Sequence, residues 1–239
     1  MEFHVYENAR AACEAAGVLI AAQITRKGDS VLGLATGSTP IPAYEMLVQW
    51  YDRGVIDFDR VRTFNLDEYV GIDHKNPLSY HAFMQEHLFS KVNLRKENVH
   101  LPSGNAAADV EAYDKAIHAA GGIDIQLLGI GRNGHIGFNE PGEAFELETH
   151  CVDLTPATIE ANKRFFDGNE DLVPKQAYTM GIKTIMQARK VLVVANGLAK
   201  AKAVKAVVSG PVTPECPGSI LQMHPDCILV ADEEALSLL

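Results

Sequence analysis

Short apolar runs rich in β-branched residues recur along the chain, separated by stretches with helical spacing. Val31–Thr36, Val61–Leu66, Ile123–Ile130 and Val191–Ala195 have the length and character of buried strands, and Cys227–Val230 is a further one. Between them, Asn8–Thr25, Tyr44–Trp50, Leu78–Phe89, Val110–Ala120 and Ala199–Val208 place Ala, Leu, Ile and Val three to four residues apart. Strands alternating with helices through short connections predict βαβ units, hence a largely parallel sheet with helices on both faces. The expected fold class is α/β, a Rossmann-like three-layer arrangement around a mostly parallel central sheet. No repeat, low-complexity tract or linker divides the chain, so one domain over 1–239 is expected. One stretch breaks the alternation. Thr155–Lys175 is polar, contains a helical segment and ends in a loop near Pro174. It reads either as a plain surface excursion or as an inserted helical lid, in the latter case reaching from 155 to 182.

Composition narrows the partners. The 239 residues are 47% apolar and 22% charged, ordinary for a globular protein large enough to bury a core. The net charge of −10, with no basic block, argues against nucleic acid and against an anionic membrane surface. A small anion stays possible, because a few local cations and backbone N–H groups hold a phosphate against the global field. Cys13, Cys151, Cys216 and Cys227 are scattered without metal-type spacing and read as reduced, mostly buried thiols. The opening residues lack a signal-peptide core, and no segment approaches a ~20-residue membrane span, so a cytoplasmic location is expected.

In open α/β sheets ligands bind beyond the carboxyl ends of the strands, and three features of this chain fall there. Thr36-Gly37-Ser38-Thr39-Pro40 follows the first apolar run and precedes a helix. Gly37 permits a tight turn, Ser38 and Thr39 supply hydroxyls, and exposed N–H groups at a helix start make a phosphate site; a capped turn would look the same. The segment is neither a Walker A loop nor GxGxxG, so a nucleotide is not indicated. Asn65-Leu66-Asp67-Glu68-Tyr69 ends the second run. Its two consecutive carboxylates point in different directions, so one can face the cleft as a general base while the other caps or pairs elsewhere. The third feature, Gly129 to Pro141, follows the most apolar strand and holds four glycines within nine residues. Among them His135 has Asn133, Asn139 and Glu140 close by; a carboxylate beside imidazole fixes its tautomer and raises its basicity. Cations for a phosphate would come from Arg164, within the excursion, and Lys200, at the start of the last long helical stretch.

Together these segments resemble the glucosamine-6-phosphate deaminase family, nearly end to end. GLATGSTP looks like that family's phosphate loop, NLDEYVG like its enolisation motif and GRNGHIGFNEP like its ring-opening loop. ANKRFF, TMGIKTIM, NGLAKAKAV and SILQMHPDCILVAD are also similar. The related 6-phosphogluconolactonases share the fold and a Gly-His loop. They typically place Arg after the acidic pair and continue the Gly-His loop with Leu-Phe-Pro, where this chain has Tyr69 and Asn139-Glu140-Pro141. A lactonase-like hydrolase or a non-catalytic sugar-phosphate sensor are the alternatives.

The resemblance implies conversion of glucosamine 6-phosphate and water to fructose 6-phosphate and ammonia, without metal or organic cofactor. It implies Asp67 as the base at C2, His135 as the ring-opening group, and Glu140 as the residue that positions and tunes His135. Gly37, Ser38, Thr39, Arg164 and Lys200 would hold the phosphate. Two departures stand out. Many members have Asp where this chain has Asn133, which leaves a neutral amide to orient His135. Allosteric members use a Ser, cationic residues and a C-terminal extension, where this chain has Glu143, His150 and Val152 and stops at Leu239. A monomer or small homo-oligomer without allosteric activation is therefore expected, and no hexamer.

Overall fold

The protein is described by a computed structural model covering residues 1–102, 107–163 and 166–239. Seven strands form one sheet, all of them parallel: β1 (Glu2–Tyr6), β2 (Val31–Leu34), β3 (Arg62–Asn65), β5 (Val99–His100), β6 (Ile125–Gly129), β9 (Val191–Ala195) and β10 (Cys227–Asp232). A second sheet of three antiparallel strands is made by β4 (Asp67–Tyr69), β7 (His150–Asp153) and β8 (Gln176–Thr179). The five apolar runs read from the sequence are all strands of the large sheet, and the α/β class with a parallel central sheet is what the chain forms.

The helices follow from the intervening pattern. They are α1 (Ala9–Arg26), α2 (Ile41–Asp52), α3 (Tyr80–His87), α4 (Ala107–Ala119), α5 (Pro156–Asn162), α6 (Ile182–Met186), α7 (Ala201–Ser209) and α8 (Glu233–Leu236). Asn8, Ser79, Thr155 and Asp232 accept backbone N–H bonds at the starts of α1, α3, α5 and α8, satisfying donors that a helix end leaves orphaned. Among the described residues no helix is long and apolar enough to cross a membrane. All four cysteines are free; Cys13 and Cys227 are buried, Cys216 partly so, and Cys151 exposed.

Five strands differ from the sequence reading. β1 and β5 carry too few consecutive apolar residues to be seen as strands, yet each completes an edge of the large sheet. The whole second sheet also has no signal in the sequence, because its strands, DEY, HCVD and QAYT, mix polar and apolar residues and make no apolar run. The stretch from 176 to 182, expected as part of a lid, is mostly β8, the central strand of that sheet. The preceding excursion does contain a helix, α5.

The strand order β1-β10-β9-β6-β2-β3-β5 explains where a ligand fits. From β2 the chain builds outward through β3 and β5; from β6 it builds the opposite way through β9 and β10. The connections after β2 and β6 therefore leave the sheet in opposite directions and open a crevice between them. Beneath it lies the main core, with Leu32, Leu34, Phe64, Leu127, Leu128, Val193 and Val230 all at 1% exposure or less. A separate small cluster of Tyr69, Phe138, Leu154, Ile159, Phe166, Val173 and Ala177 supports the second sheet and α5.

Candidate active site

The connection after β2 begins at Ala35, whose carbonyl accepts the hydroxyl of fully buried Tyr44 at 2.5 Å. That bond holds the strand end against the start of α2. Gly37 then adopts φ 96°, a left-handed conformation that glycine takes without strain. Gly37 and Thr39 are partly exposed and Ser38 is exposed, so the turn presents them outward at the crevice. Pro40 is the N-cap of α2, and Pro42 occupies its first turn.

The second connection crosses between the sheets. Leu66 N–H donates to Leu34 of the large sheet at 2.9 Å, while its carbonyl accepts Met180 N–H at 2.7 Å. The next residue, Asp67, is already in β4, opposite Thr179 on β8. The two acids then have separate fates. Glu68 accepts the backbone N–H groups of Tyr80 and His81, each at 2.9 Å, and so anchors the start of α3. Burial raises its carboxyl pKa despite the backbone donors. Asp67 is 8% exposed, and burial, with the charge of Glu68 adding to it, pushes its carboxyl up to about 8. A carboxylate with that affinity for a proton is matched to base chemistry near neutral pH.

The third connection, after β6, folds back on itself. Gly131 N–H donates to His135 carbonyl at 2.8 Å, and Gly134 N–H to Gly131 carbonyl at 3.1 Å. A β-carbon on Gly131 would stand 2.4 Å from the His135 ring, so the imidazole lies in space that only glycine leaves open. The loop is fastened to the second sheet: Phe138 N–H donates to Thr179 Oγ1 at 3.0 Å, and Asn139 Nδ2 to Met180 carbonyl at 2.8 Å. At Gly137 a β-carbon would be 2.7 Å from Thr179 Oγ1 and 3.8 Å from Asp67 Oδ2. The histidine loop and the buried aspartate thus meet across a single glycine.

His135 Nδ1 stands 3.2 Å from Glu140 Oε1, close but without hydrogen-bond alignment. Glu140 also accepts Asn133 Nδ2 at 2.7 Å on Oε2 and the Thr158 hydroxyl on Oε1. Burial raises the Glu140 carboxyl, but His135, Thr158 and Asn133 outweigh it and hold the pKa below its ordinary value. Asn133 accepts His135 backbone N–H at 3.2 Å through its own Oδ1. The amide expected to orient the imidazole therefore bonds to Glu140 and the loop backbone, and no hydrogen bond joins it to His135 Nδ1 among the described residues.

Lys200 lies in the short 3-10 turn that leads into α7, and its Nζ donates to Ile130 carbonyl at 2.5 Å. This brings the cation to the base of the histidine loop, at the end of β6. The structure thus gathers Asp67, Asn133, His135, Glu140 and Lys200 at the carboxyl ends of neighbouring strands, with Gly37–Thr39 on the adjoining strand end. Arg164 lies outside the described residues. Sequence reasoning missed Thr158 and Thr179 as contacts of the site. The excursion that holds Thr158 reads as a surface excursion or a lid, and TMGIKTIM only as a similar segment, so no role falls to either threonine.

A parallel α/β sheet with loops gathered at a topological switch point, a buried carboxyl and a His-Glu pair defines a class of small-molecule enzyme. The chain belongs to the family described as glucosamine-6-phosphate isomerases/6-phosphogluconolactonase, whose model matches residues 6–229. A glucosamine-6-phosphate deaminase of Halothermothrix orenii is 50% identical over 243 aligned positions, covering all of both chains. One from Clostridioides difficile is 54% identical over 228, covering 94% of this chain and 91% of that one. The solved structure of a monomeric glucosamine-6-phosphate deaminase superimposes with a TM-score of 0.96 at 39% identity, over the full length of both. A 6-phosphogluconolactonase from Trypanosoma brucei shares the fold at a TM-score of 0.77 and 19% identity.

Proposed function

We propose that the protein is a glucosamine-6-phosphate deaminase, converting glucosamine 6-phosphate and water to fructose 6-phosphate and ammonia. The single observation that carries the mechanism is the buried Asp67 carboxyl, pushed up to about 8 and packed beside the histidine loop. His135 moves a proton from the C1 hydroxyl to the ring oxygen, and the ring opens to the aldehyde. Asp67 then removes the C2 proton, giving an enolamine, and returns a proton at C1. The resulting C2 imine takes up water and expels ammonia, leaving the ketose phosphate. Glu140 keeps the imidazole supplied with a negative partner while protons pass through it. Gly37, Ser38, Thr39 and Lys200 hold the phosphate, and Arg164 adds a second cation from the segment after α5. Phosphate binding far from C2 contributes to catalysis where it orders that segment over the sugar. In keeping with the monomeric relative, the enzyme works as a monomer or small oligomer, without activation by N-acetylglucosamine 6-phosphate.

The test is direct: purified protein with glucosamine 6-phosphate should release ammonia and fructose 6-phosphate in equal amounts. Absence of ammonia at saturating substrate would sink the reading. Hydrolysis of 6-phosphogluconolactone in its place would move the protein to the other branch of the family.

A further inference from the structure

Helix α5 touches the site at two separate places. Thr158 donates its hydroxyl to Glu140 Oε1, the same oxygen that faces His135 Nδ1. One turn later, Asn162 Nδ2 donates to the Tyr69 hydroxyl at 3.1 Å, on the strand that begins with Asp67. The short helix therefore bridges the two chemical halves of the site. Thr155, which caps α5 by accepting Thr158 N–H at 3.2 Å, also donates its hydroxyl to Thr158 Oγ1 at 3.1 Å. This gives a row of donors, Thr155 to Thr158 to Glu140.

Thr158 is buried at 7% exposure, so bulk water does not stand in for its hydroxyl. The charge on Glu140 depends on the few donors around it. Asn133 serves one oxygen; the other has Thr158 and an imidazole that is near but misaligned. Without the Thr158 hydroxyl, the carboxylate would keep only the Asn133 bond on Oε2, leaving it free to swing about that anchor and Oε1 without an aligned donor.

We propose that Thr158 is a positioning residue for ring opening, aiming Glu140 at His135 so that the relay is complete only while α5 is seated. The inference rests on the deaminase reading. It assigns to the excursion a role in proton transfer, separate from any contact with the phosphate.

The test compares Thr158→Val, which keeps the shape and deletes the donor, with Thr158→Ser, which keeps the donor. Ammonia release is measured beside the affinity for the open-chain amino-alditol phosphate obtained by reducing the substrate aldehyde, a probe that needs no ring opening. The expected result is a kcat about 10–100-fold lower in Thr158→Val, unchanged affinity for the probe, and most of the rate kept in Thr158→Ser. Thr158→Ala makes the same prediction should the valine variant fold poorly. An unaffected valine variant, a serine variant as slow as valine, or parallel loss of rate and probe affinity would each overturn the proposal. Wild-type protein that releases no ammonia would bring down the deaminase reading itself, a distinct outcome.

Discussion

The two sheets divide the labour of the site unequally. The central strands of the large parallel sheet are buried on both faces, and from their ends leave the loops proposed to hold the ligand: Gly37–Thr39 after β2, the histidine loop after β6 and Lys200 after β9. The small antiparallel sheet is thin, backed by a seven-residue apolar cluster, yet it carries Asp67 and clamps the histidine loop through Thr179 and Met180. On the proposed reading, the groups that anchor the ligand reside in the more deeply buried region and the base in the thinner one. Local stability varies in this way across many proteins, and elements that move with ligand are drawn from the low end.

The largest effect should come from the small sheet. Asp67→Asn is expected to lower kcat about 10³–10⁴-fold and to abolish exchange of the C2 proton with solvent, while substrate still binds. Retained exchange would place the base elsewhere. The same carboxyl governs pH dependence. Because it must be ionised to act, kcat/KM should fall about tenfold per pH unit below about 8, and a profile flat from pH 6 to 8 would contradict this. Its sign on stability is the opposite of the usual acid. The folded state holds the proton more tightly than the unfolded chain, so stability declines as pH rises from about 4 to 8. Asp67→Asn should flatten that decline in thermal melts.

Matched core truncations sharpen the contrast. Leu32→Ala, under the large sheet, should cost about 2–5 kcal/mol in denaturant unfolding. Ile159→Ala, in the small cluster, should shift global unfolding less and instead lower kcat about tenfold, since α5 is a local unit. Equal unfolding shifts would mean that the two regions melt as one. The smallest effect expected is on binding: Lys200→Met should raise KM about tenfold, with kcat changed less. An unchanged KM would remove Lys200 from the phosphate site.

The same contrast governs what could be read from the chain. Strands such as Ile125–Gly129 and Val191–Ala195 are buried on both faces and so appear as unbroken apolar runs. The chemistry after them was legible too, because glycines crowded around a histidine, or two acids at a strand end, are rare in plain packing. β4, β7 and β8 left no such mark. Their segments, DEY, HCVD and QAYT, mix polar with apolar residues and form no apolar run, and Asp67 and Glu68 read only as the end of the preceding strand. Contacts made through space, such as Thr158 with Glu140 or Asn133 with Glu140 in place of the ring, depend on side-chain directions that spacing does not encode.

Adjacent acids on a pleated strand face opposite ways, and β4 shows what hangs on that parity. Pairing Asp67 with Thr179 selects which carboxylate faces the histidine loop, as the proposed base, and which one ties down α3. One residue removed before Asp67, with the β8 pairing held, would set Glu68 opposite Thr179 and bring its longer side chain toward Gly137. The identity of the base is in this sense a matter of reading frame in three dimensions. An engineered swap of that kind, Asp67 and Glu68 transposed, would ask whether one methylene is enough to miss C2.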